Sequence, residues 1–230
     1  MGLSACCLLV GGLLAILAYV KLKLGICEDD PFTLATLSAA ISFRDVDVVF
    51  SVSDPAEAVA EFKKLRPHAV LIDLHLGDGP TGLDVARAIR RQGPEVGIVF
   101  LTSFESPKLI EKNFTGVPSG SQYLTKRDVG SVEEILQAVQ RSIAVERKTN
   151  VPESGKLTKL TKHQLSVLEI LAQGGTNAEI AAQLEVDSKS VEPVIRRIAG
   201  RLGISSEQNK NQRIQMARAY LRGIGRLDEV

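Results

Sequence analysis

Five short apolar runs, separated by segments with helical periodicity, constrain the fold of this chain more than any other feature. The runs predict strands at Leu22–Cys27, Val46–Ser51, Ala69–Leu74, Gly97–Leu101 and Gln122–Leu124. Parallel strands need long crossover connections, usually helices, so this alternation is typical of a parallel sheet. Residues 21–143 therefore predict one α/β domain with (βα)5 order and a doubly wound parallel sheet.

Capping residues mark the helix starts between these strands. Asp54 precedes a proline, and Ser131 begins a capping box that ends at Glu134. Such side chains accept hydrogen bonds from the unpaired N–H groups of the first helical turn, where proline is also tolerated. Asp30, followed by Pro31, predicts the start of the first helix in the same way.

Polar residues follow the apolar runs where the strands should end. They are Asp29, Asp30, Asp73, Thr102 and Lys126. Since the carboxyl ends of parallel strands meet at one edge of a sheet, these side chains are expected to form one site. Clustered carboxylates repel one another unless a cation offsets their charge, and hard oxygen ligands suit Mg²⁺. The lysine and the hydroxyl can hold an anion, so the pattern predicts that Asp73 accepts a phosphoryl group.

The remainder of the chain has only helical patterns. Polar residues broken by proline and glycine predict a linker at 144–156. In residues 157–226, capping boxes begin at Thr161 and Thr176, and a further helix begins near Asp187. Two helices joined by a short turn form a helix-turn-helix, so this part predicts a small all-α domain.

Charge divides the chain at the same place. Lys21–Arg141 holds 14 basic and 17 acidic residues, a net of −3, whereas Lys156–Val230 holds 12 and 8, a net of +4. A basic second half suits a nucleic-acid binder. The cysteines, Cys6, Cys7 and Cys27, are odd in number and lack metal-ligand spacing. That usage suits a reducing cytosol, so a cytoplasmic location is expected.

The first 20 residues leave two interpretations open. Leu3–Val20 is apolar and just long enough to span a bilayer, and Lys21 and Lys23 would keep the following chain cytoplasmic. The first strand begins about two residues later, only roughly 7 Å of extended chain, which brings the domain against the headgroups. Residues 1–20 are either a dispensable leader from a mis-assigned start, or a membrane anchor or membrane-associated helix.

The first domain resembles the receiver domain of two-component response regulators, which has a flavodoxin-like fold. The resemblance rests on the order of Asp29, Asp30, Asp73, Thr102 and Lys126, within about residues 22–143. It implies that Asp73 is the phosphoacceptor, and that Thr102 and Lys126 contact the phosphoryl group.

The same resemblance assigns the metal ligands and a switch residue. It implies that Asp30 and Asp73 bind Mg²⁺ with the backbone carbonyl of His75, while Asp29 acts through water or from outside the direct ligands. Tyr123 falls at the position of the aromatic switch. An aspartyl-phosphate hydrolase is the enzyme alternative, but the second aspartate usual in that class is replaced by His75.

The second domain resembles a LuxR-type (NarL/FixJ-like) helix-turn-helix. The residues that carry the resemblance are Leu160-Thr161, Val167-Leu168, Gln173-Gly174, Thr176-Asn177, Glu179-Ile180-Ala181, Ser190-Val191 and Arg201-Leu202-Gly203-Ile204. The resemblance implies that the helix from about Ser188 to Arg201 enters the major groove of DNA.

The DNA contacts implied by this resemblance involve six residues of that helix. They are Lys189, Ser190, Glu192, Pro193, Arg196 and Arg197. Glu192, Pro193 and Arg196 would face the bases, and Lys189 and Arg197 would contact phosphates. Because Pro193 lies beyond the first helical turn, a kink in this helix is expected.

Together these features predict a response regulator that acts as a transcription factor rather than an enzyme. A sensor histidine kinase would phosphorylate Asp73, and the protein would bind promoter DNA, as a homodimer when phosphorylated. The alternative is a phosphorylation-gated protein-interaction module, perhaps membrane-tethered, that does not bind DNA.

Overall fold

The structure is a computed structural model that describes residues 21–110, 114, 116–144, 148–150, 155–205 and 211–226. The apolar segment 1–20 lies outside the described residues. Within the described part of the chain, no helix combines the length and the apolarity that crossing a bilayer requires.

Five parallel strands form one sheet. They are β1 (Leu22–Cys27), β2 (Val46–Val52), β3 (Ala69–Ile72), β4 (Gly97–Thr102) and β5 (Gln122–Thr125). Each matches its predicted run to within two residues. The spatial order is β2-β1-β3-β4-β5, so the order reverses between β1 and β3. Ligands of open parallel sheets bind beyond the carboxyl ends of the strands at such a reversal.

Helices cover both faces of the sheet. They are α1 (Pro31–Ser42), α2 (Pro55–Leu65), α3 (Gly82–Gln92) and α4 (Val132–Ile143). One apolar cluster joins Phe62 of α2 and Ile89 of α3 to Phe100 of the sheet. The other joins Ile41 of α1 and Val139 of α4 to the opposite face. The predicted doubly wound sheet is therefore confirmed.

The segment between β4 and β5 is described at residues 103–110, 114 and 116–121. Among its described residues the only helical element is a 3-10 turn at Pro107–Leu109. Pro118 and Gly116, which has a φ of +106°, lie in the same segment and disfavour a regular helix. The connection after Thr102 is consequently a loop with one short turn where it has been described.

The C-terminal domain is helical. Its helices are α5 (Lys162–Ala172), α6 (Asn177–Gln183), α7 (Ser188–Leu202) and α8 (Gln212–Gly223). Reciprocal capping boxes at Thr161–Gln164 and Thr176–Glu179 start α5 and α6, as the sequence predicts. The turn between α6 and α7 includes Glu185 in the left-handed region at a φ of +53°. Buried Leu168, Ile198 and Met216 belong to one core shared by these helices.

The start of the linker is fixed to the edge of the sheet beside β5. The backbone N–H of Asn150 donates to the carbonyl of Ser121 at 3.0 Å. The side-chain amide of Gln122 donates to the carbonyl of Lys148 at 2.7 Å. These bonds cover part of a strand edge that would otherwise present unpaired backbone groups.

Candidate functional sites

Three carboxylates meet at the carboxyl edge of the sheet, at the reversal in strand order. Glu28 and Asp29 follow β1, and Asp73 follows β3, the strand beside it. One oxygen of each carboxylate lies within 4.8 Å of the others. Asp73 is held in line with its strand because its N–H donates to the carbonyl of Cys27 at 2.9 Å. The two neighbouring strands thus bring these carboxylates close enough to repel one another.

Lys126 closes the cluster from the other side. Its Nζ atom lies 2.8 Å from Oδ2 of Asp73 and 2.7 Å from Oε2 of Glu28. Its backbone N–H donates to the carbonyl of Thr102 at 2.7 Å, which places it next to β4. Burial by itself lowers the pKa of Lys126, but attraction to Asp73 and the hydrogen bonds to Asp73 and Glu28 outweigh it, so the pKa is raised. The ammonium group therefore stays charged between the two acids.

Glu28, which the sequence analysis passed over, is the acid beside Asp73. It is buried, and loss of hydration raises its pKa to about 7 despite the opposing hydrogen bond from Lys126. Asp30 is instead the N-cap of α1, and its Oδ1 accepts from the N–H of Thr33 at 2.7 Å. The group of carboxylates close enough to share a cation contains Glu28 and Asp29, with Asp30 outside it.

A signal for this assignment was present in the sequence. Proline is favoured as the first residue of a helix and aspartate is favoured as the N-cap. The sequence therefore already predicts that Asp30, before Pro31, caps the first helix. Counting back from Asp30, the next acids are Asp29 and Glu28, and Glu28 directly follows the last apolar residue of the strand.

Thr102 and Tyr123 both form hydrogen bonds with the backbone of Phe104, which lies two residues beyond the end of β4. Thr102 is fully buried, and its Oγ1 accepts from the N–H of Phe104 at 3.4 Å. Tyr123 is buried in the sheet, and its hydroxyl donates to the carbonyl of Phe104 at 2.7 Å. Burial raises the pKa of Tyr123, so this hydroxyl keeps its proton as a hydrogen-bond donor.

His75 approaches Asp73 through its backbone. Its N–H donates to Oδ1 of Asp73 at 3.3 Å, and its ring lies 6.1 Å from the ring of Phe104. Both oxygens of Asp73 therefore accept a hydrogen bond, one from His75 and one from Lys126. The role of the His75 carbonyl as a metal ligand stays a prediction.

Gly82 is a structural requirement of the site that the sequence analysis did not identify. Its N–H donates to the carbonyl of Leu74 at 2.9 Å, and a Cβ at this position would lie 1.9 Å from the carbonyl oxygen of Asp73. Only a residue without a side chain allows α3 to begin so close to the strand that carries Asp73.

The acidic cluster fits a hard divalent cation. Its donors, from Glu28, Asp29 and Asp73, are all carboxylate oxygens, the ligands that Mg²⁺ prefers in proteins. Lys126 offsets part of their charge, but among the described carboxylates its ammonium group pairs with Glu28 and Asp73 and not with Asp29. A cation beside Asp29 would complete the compensation.

The second site is the outer surface of α7. Lys189, Ser190, Glu192, Pro193, Arg196 and Arg197 are all exposed. Val191, Ile195 and Ile198 of the same helix are buried in the core and fix its orientation. The six predicted residues therefore share one solvent-facing side of a helix.

Two residues of this surface have notable local contacts. The helix is continuous from Ser188 to Leu202 with Pro193 inside it. The Nε of Arg197 donates to the carbonyl of Pro193 at 3.3 Å. Glu192 accepts from the side-chain amide of Asn177 at 3.0 Å. Asn177 in turn accepts from Arg213 of α8 at 2.8 Å. The acidic side chain is thereby tied to the start of α6.

Comparison with known families divides the chain into the same two domains as the structure does. Residues 24–140 match the family model of the response regulator receiver domain. Residues 158–216 match the model of the luxR family of bacterial regulatory proteins.

Individual relatives match over most of their lengths. The nitrate/nitrite response regulator protein homolog of Haemophilus influenzae is 27% identical over 199 residues, which cover 81% of this chain and 92% of the relative. Transcriptional regulatory protein LiaR of Bacillus subtilis is 28% identical over 176 residues, or 70% and 81% of the two chains. The response regulator RcsB, solved in complex with DNA, is similar in fold, with a TM-score of 0.54 at 21% identity over 89% of this chain and 99% of that one.

Proposed function

The chain belongs to the response regulators that join a receiver domain to a LuxR-type output domain, and we propose that phosphorylation of Asp73 controls its binding to promoter DNA. The family and fold predicted from the sequence are thereby confirmed. One observation carries the proposal: Asp73 lies between Lys126 and two further carboxylates at the carboxyl edge of a parallel sheet.

Asp73 is the nucleophile in the proposed phosphoryl transfer. One of its carboxylate oxygens forms a bond to phosphorus while the bond from phosphorus to the donor breaks, and the donor atom keeps that electron pair. With a histidine kinase as donor, the departing atom is a ring nitrogen of the phosphohistidine. The bond to Lys126 and the N–H of His75 hold the carboxylate in place for attack.

The metal site proposed for this transfer consists of Glu28, Asp29 and Asp73. Bound Mg²⁺ supplies positive charge to the phosphoryl oxygens. Lys126 remains close enough to pair with the phosphorylated side chain. In the structure one ammonium group pairs with Glu28 and Asp73. The acyl phosphate formed on Asp73 would carry roughly 1.5 to 2 negative charges where the carboxylate carried one.

The output domain is proposed to bind DNA through α7. Its exposed side carries Lys189, Arg196 and Arg197, and the domain as a whole is basic. Arg196 is suited to guanine because its guanidinium can donate to both O6 and N7. A regulator that meets a kinase and promoter DNA in this way would work in the cytoplasm, with the phosphorylated form binding as a homodimer.

Labelling with a small-molecule phosphodonor and Mg²⁺ tests the first step. Wild type should gain one phosphoryl group, and Asp73→Asn should gain none. Asp78→Asn, at an exposed acid of the same connection, serves as the matched control and should label like wild type. Unchanged labelling of Asp73→Asn would assign the phosphoacceptor elsewhere.

A mobility shift tests the second step. The phosphorylated protein should bind selected genomic fragments more tightly than the unphosphorylated protein does. If neither form binds DNA at low salt, the protein-interaction alternative is correct.

A further inference from the structure

Helix α7 presents one carboxylate on the side that is proposed to meet DNA. Glu192 is exposed there, four positions before Arg196. Side chains four positions apart lie on the same side of a helix, where opposite charges can pair. Among the described residues, however, no ion pair joins Glu192 to Arg196. The carboxylate is bound instead by a group from another helix.

A chain of hydrogen bonds joins Glu192 to α6 and α8. Its Oε2 accepts from Nδ2 of Asn177, the first residue of α6, at 3.0 Å. Oδ1 of Asn177 accepts from Nη1 of Arg213 in α8 at 2.8 Å. Nη2 of Arg213 also donates to the carbonyl of Gly175. The carboxylate on α7 is therefore held through the starts of both neighbouring helices.

This chain of bonds has a fixed direction. A guanidinium group carries donors and no acceptor. The side-chain amide of Asn177 must therefore turn its oxygen to Arg213, and its NH2 group is left facing Glu192. The backbone of Arg213 is fixed as well, because its N–H donates to Oδ1 of Asn211, the N-cap of α8, at 3.1 Å. As a result, any side chain at position 192 meets a donor from α6 and must offer it an acceptor.

The second oxygen of Glu192 is available on the surface of α7. Asn177 occupies Oε2, and no described residue donates to Oε1. In the major groove, the exocyclic amino groups of cytosine and adenine are the donors that a carboxylate can accept from. Adenine also presents its N7 acceptor beside that amino group, which repels an anion, whereas cytosine presents the donor alone. The free oxygen is thus better suited to cytosine.

We infer that Glu192 selects cytosine in the bound DNA, and that Asn177 and Arg213 are positioning residues that keep it an acceptor. This role rests on the proposed function, the binding of DNA through α7. Four helical residues span about 6 Å, and successive bases lie about 3.4 Å apart. The selected cytosine therefore lies within about two base pairs of the guanine proposed for Arg196.

The same bonds separate the acid from the arginine beside it. While Asn177 holds Glu192, the guanidinium of Arg196 keeps its donors for guanine. The negative charge of Glu192 also repels the phosphates of every sequence, and only a site with cytosine at the right position offsets that repulsion. Glu192 thus increases the difference between preferred and random DNA by weakening binding to the latter.

Selection from a random duplex library, by the full chain treated with phosphodonor and Mg²⁺, tests the inference. Competition binding then gives the base preference at each selected position. Wild type should prefer cytosine over guanine by about fivefold or more at one position near the Arg196 contact. Glu192→Gln should invert that preference. Its new amide must turn the oxygen to Asn177 and the NH2 group to the groove, where O6 and N7 of guanine accept.

A second substitution should restore the original base. Asn177→Asp, added to Glu192→Gln, keeps a partner for Arg213 but presents an acceptor to position 192. The new amide then donates to α6 and turns its oxygen to the groove, so the cytosine preference should return. An acid is favourable in the first turn of a helix, so this change is compatible with α6. A purely structural role for Asn177 would give a loss of affinity and no such reversal.

Arg213→Leu tests the far end of the chain of bonds. Without the guanidinium the Asn177 amide can turn over, so most of the cytosine preference should be lost. Arg218→Leu, at an exposed arginine of the same helix, is the matched control and should keep the preference. Each preference is a ratio between sequences measured on one sample, so a partly unfolded fraction does not change it.

The outcomes separate this inference from the proposed function. The same preferred base in wild type and Glu192→Gln would overturn the role of Glu192 while DNA binding stands. Failure of the double variant to regain cytosine, or equal preferences in the Arg213 and Arg218 variants, would overturn the positioning roles. If wild type selects no DNA at all, the proposed function is wrong and the inference falls with it.

Discussion

The Nζ atom of Lys126 lies 2.8 Å from Oδ2 of Asp73, and it bonds to Glu28 with the same ammonium group. Lys126 is thus the positive charge that lets two buried carboxylates remain together. Lys126→Met should destabilise the Mg²⁺-free protein by roughly 3 kcal/mol, because it leaves the buried acids without their positively charged partner. Denaturant unfolding checks this, and added Mg²⁺ should restore part of the loss.

The control for this variant is Lys64→Met. Lys64 pairs with Glu61 at 2.5 Å on the surface of α2, and its side chain is 66% exposed. Exposed pairs contribute at most about 1 kcal/mol. Similar losses for the two variants would show that the buried position of Lys126 has no special effect.

Asp29 and Asp30, though adjacent, should respond differently to substitution. Asp29→Ala should raise the Mg²⁺ concentration needed for half-maximal labelling at least tenfold, because Asp29 belongs to the carboxylate cluster. Asp30→Ala should leave that dependence nearly unchanged and lower the stability by about 1 kcal/mol, the usual cost of losing an N-cap. Titration of labelling rate against Mg²⁺ concentration measures the first effect, and unfolding measures the second. The reverse result would favour Asp30 as the Mg²⁺ ligand.

Gly82→Ala should disrupt the phosphoacceptor site without touching its side chains. The added Cβ would lie 1.9 Å from the carbonyl oxygen of Asp73, so α3 or the strand end must shift. A loss of roughly 2–4 kcal/mol and reduced labelling are expected. Gly200→Ala, inside α7 with no atom within 4 Å among the described residues, should instead stabilise by about 0.5–1 kcal/mol. Circular dichroism melts distinguish the two.

The stability of the chelator-treated protein should fall as the pH rises from about 4.5 to about 7. Burial raises the pKa of Glu28 to about 7, so the folded state binds a proton in this window that the unfolded state has released. Its contribution is complete below the ordinary glutamate pKa and is lost as the pH passes the raised value. Glu28→Gln should remove this slope, on the order of 1–3 kcal/mol, whereas Glu57→Gln, at an exposed acid, should keep it. A slope unchanged by Glu28→Gln would contradict the assignment.

Substitutions at Arg196 and Lys189 should distinguish contacts with DNA bases from contacts with phosphates. Arg196→Ala should cost roughly 1–3 kcal/mol on the preferred DNA site and relax its sequence choice. Lys189→Ala should weaken binding to all sequences about equally. It should also reduce the slope of the logarithm of the binding constant against the logarithm of salt concentration by about 0.9, the value for one phosphate contact. Glu192→Lys should tighten non-specific binding. Equal losses on specific and random DNA for Arg196→Ala would move the base contacts away from this residue.

The sequence alone determined both domains and much of the site. Apolar runs and helix caps are local sequence signals. They therefore predicted the five strands, the start of α2 at Asp54 and the capping box at Thr176. Asp73, Thr102 and Lys126 were predicted to lie near one another because each stands at the carboxyl end of a strand, and parallel topology brings such ends to one edge.

Tertiary structure decided where each of three neighbouring acids lies. Glu28, Asp29 and Asp30 are consecutive, and their types do not distinguish them. Glu28 is buried and pairs with Lys126, whereas Asp30 accepts from the N–H of Thr33 in the first turn of α1. Gly82 likewise has meaning only once α3 is packed against the carbonyl of Asp73.

A contact between the two domains is the part that no sequence pattern indicated. It depends on main-chain groups of Glu105 and Gly223, which lie 118 positions apart in the chain. Backbone N–H and carbonyl groups are the same in nearly every residue, so their pairing leaves no trace in residue type. Only the docking of two finished domains brings the peptide beside Tyr123 to the end of α8.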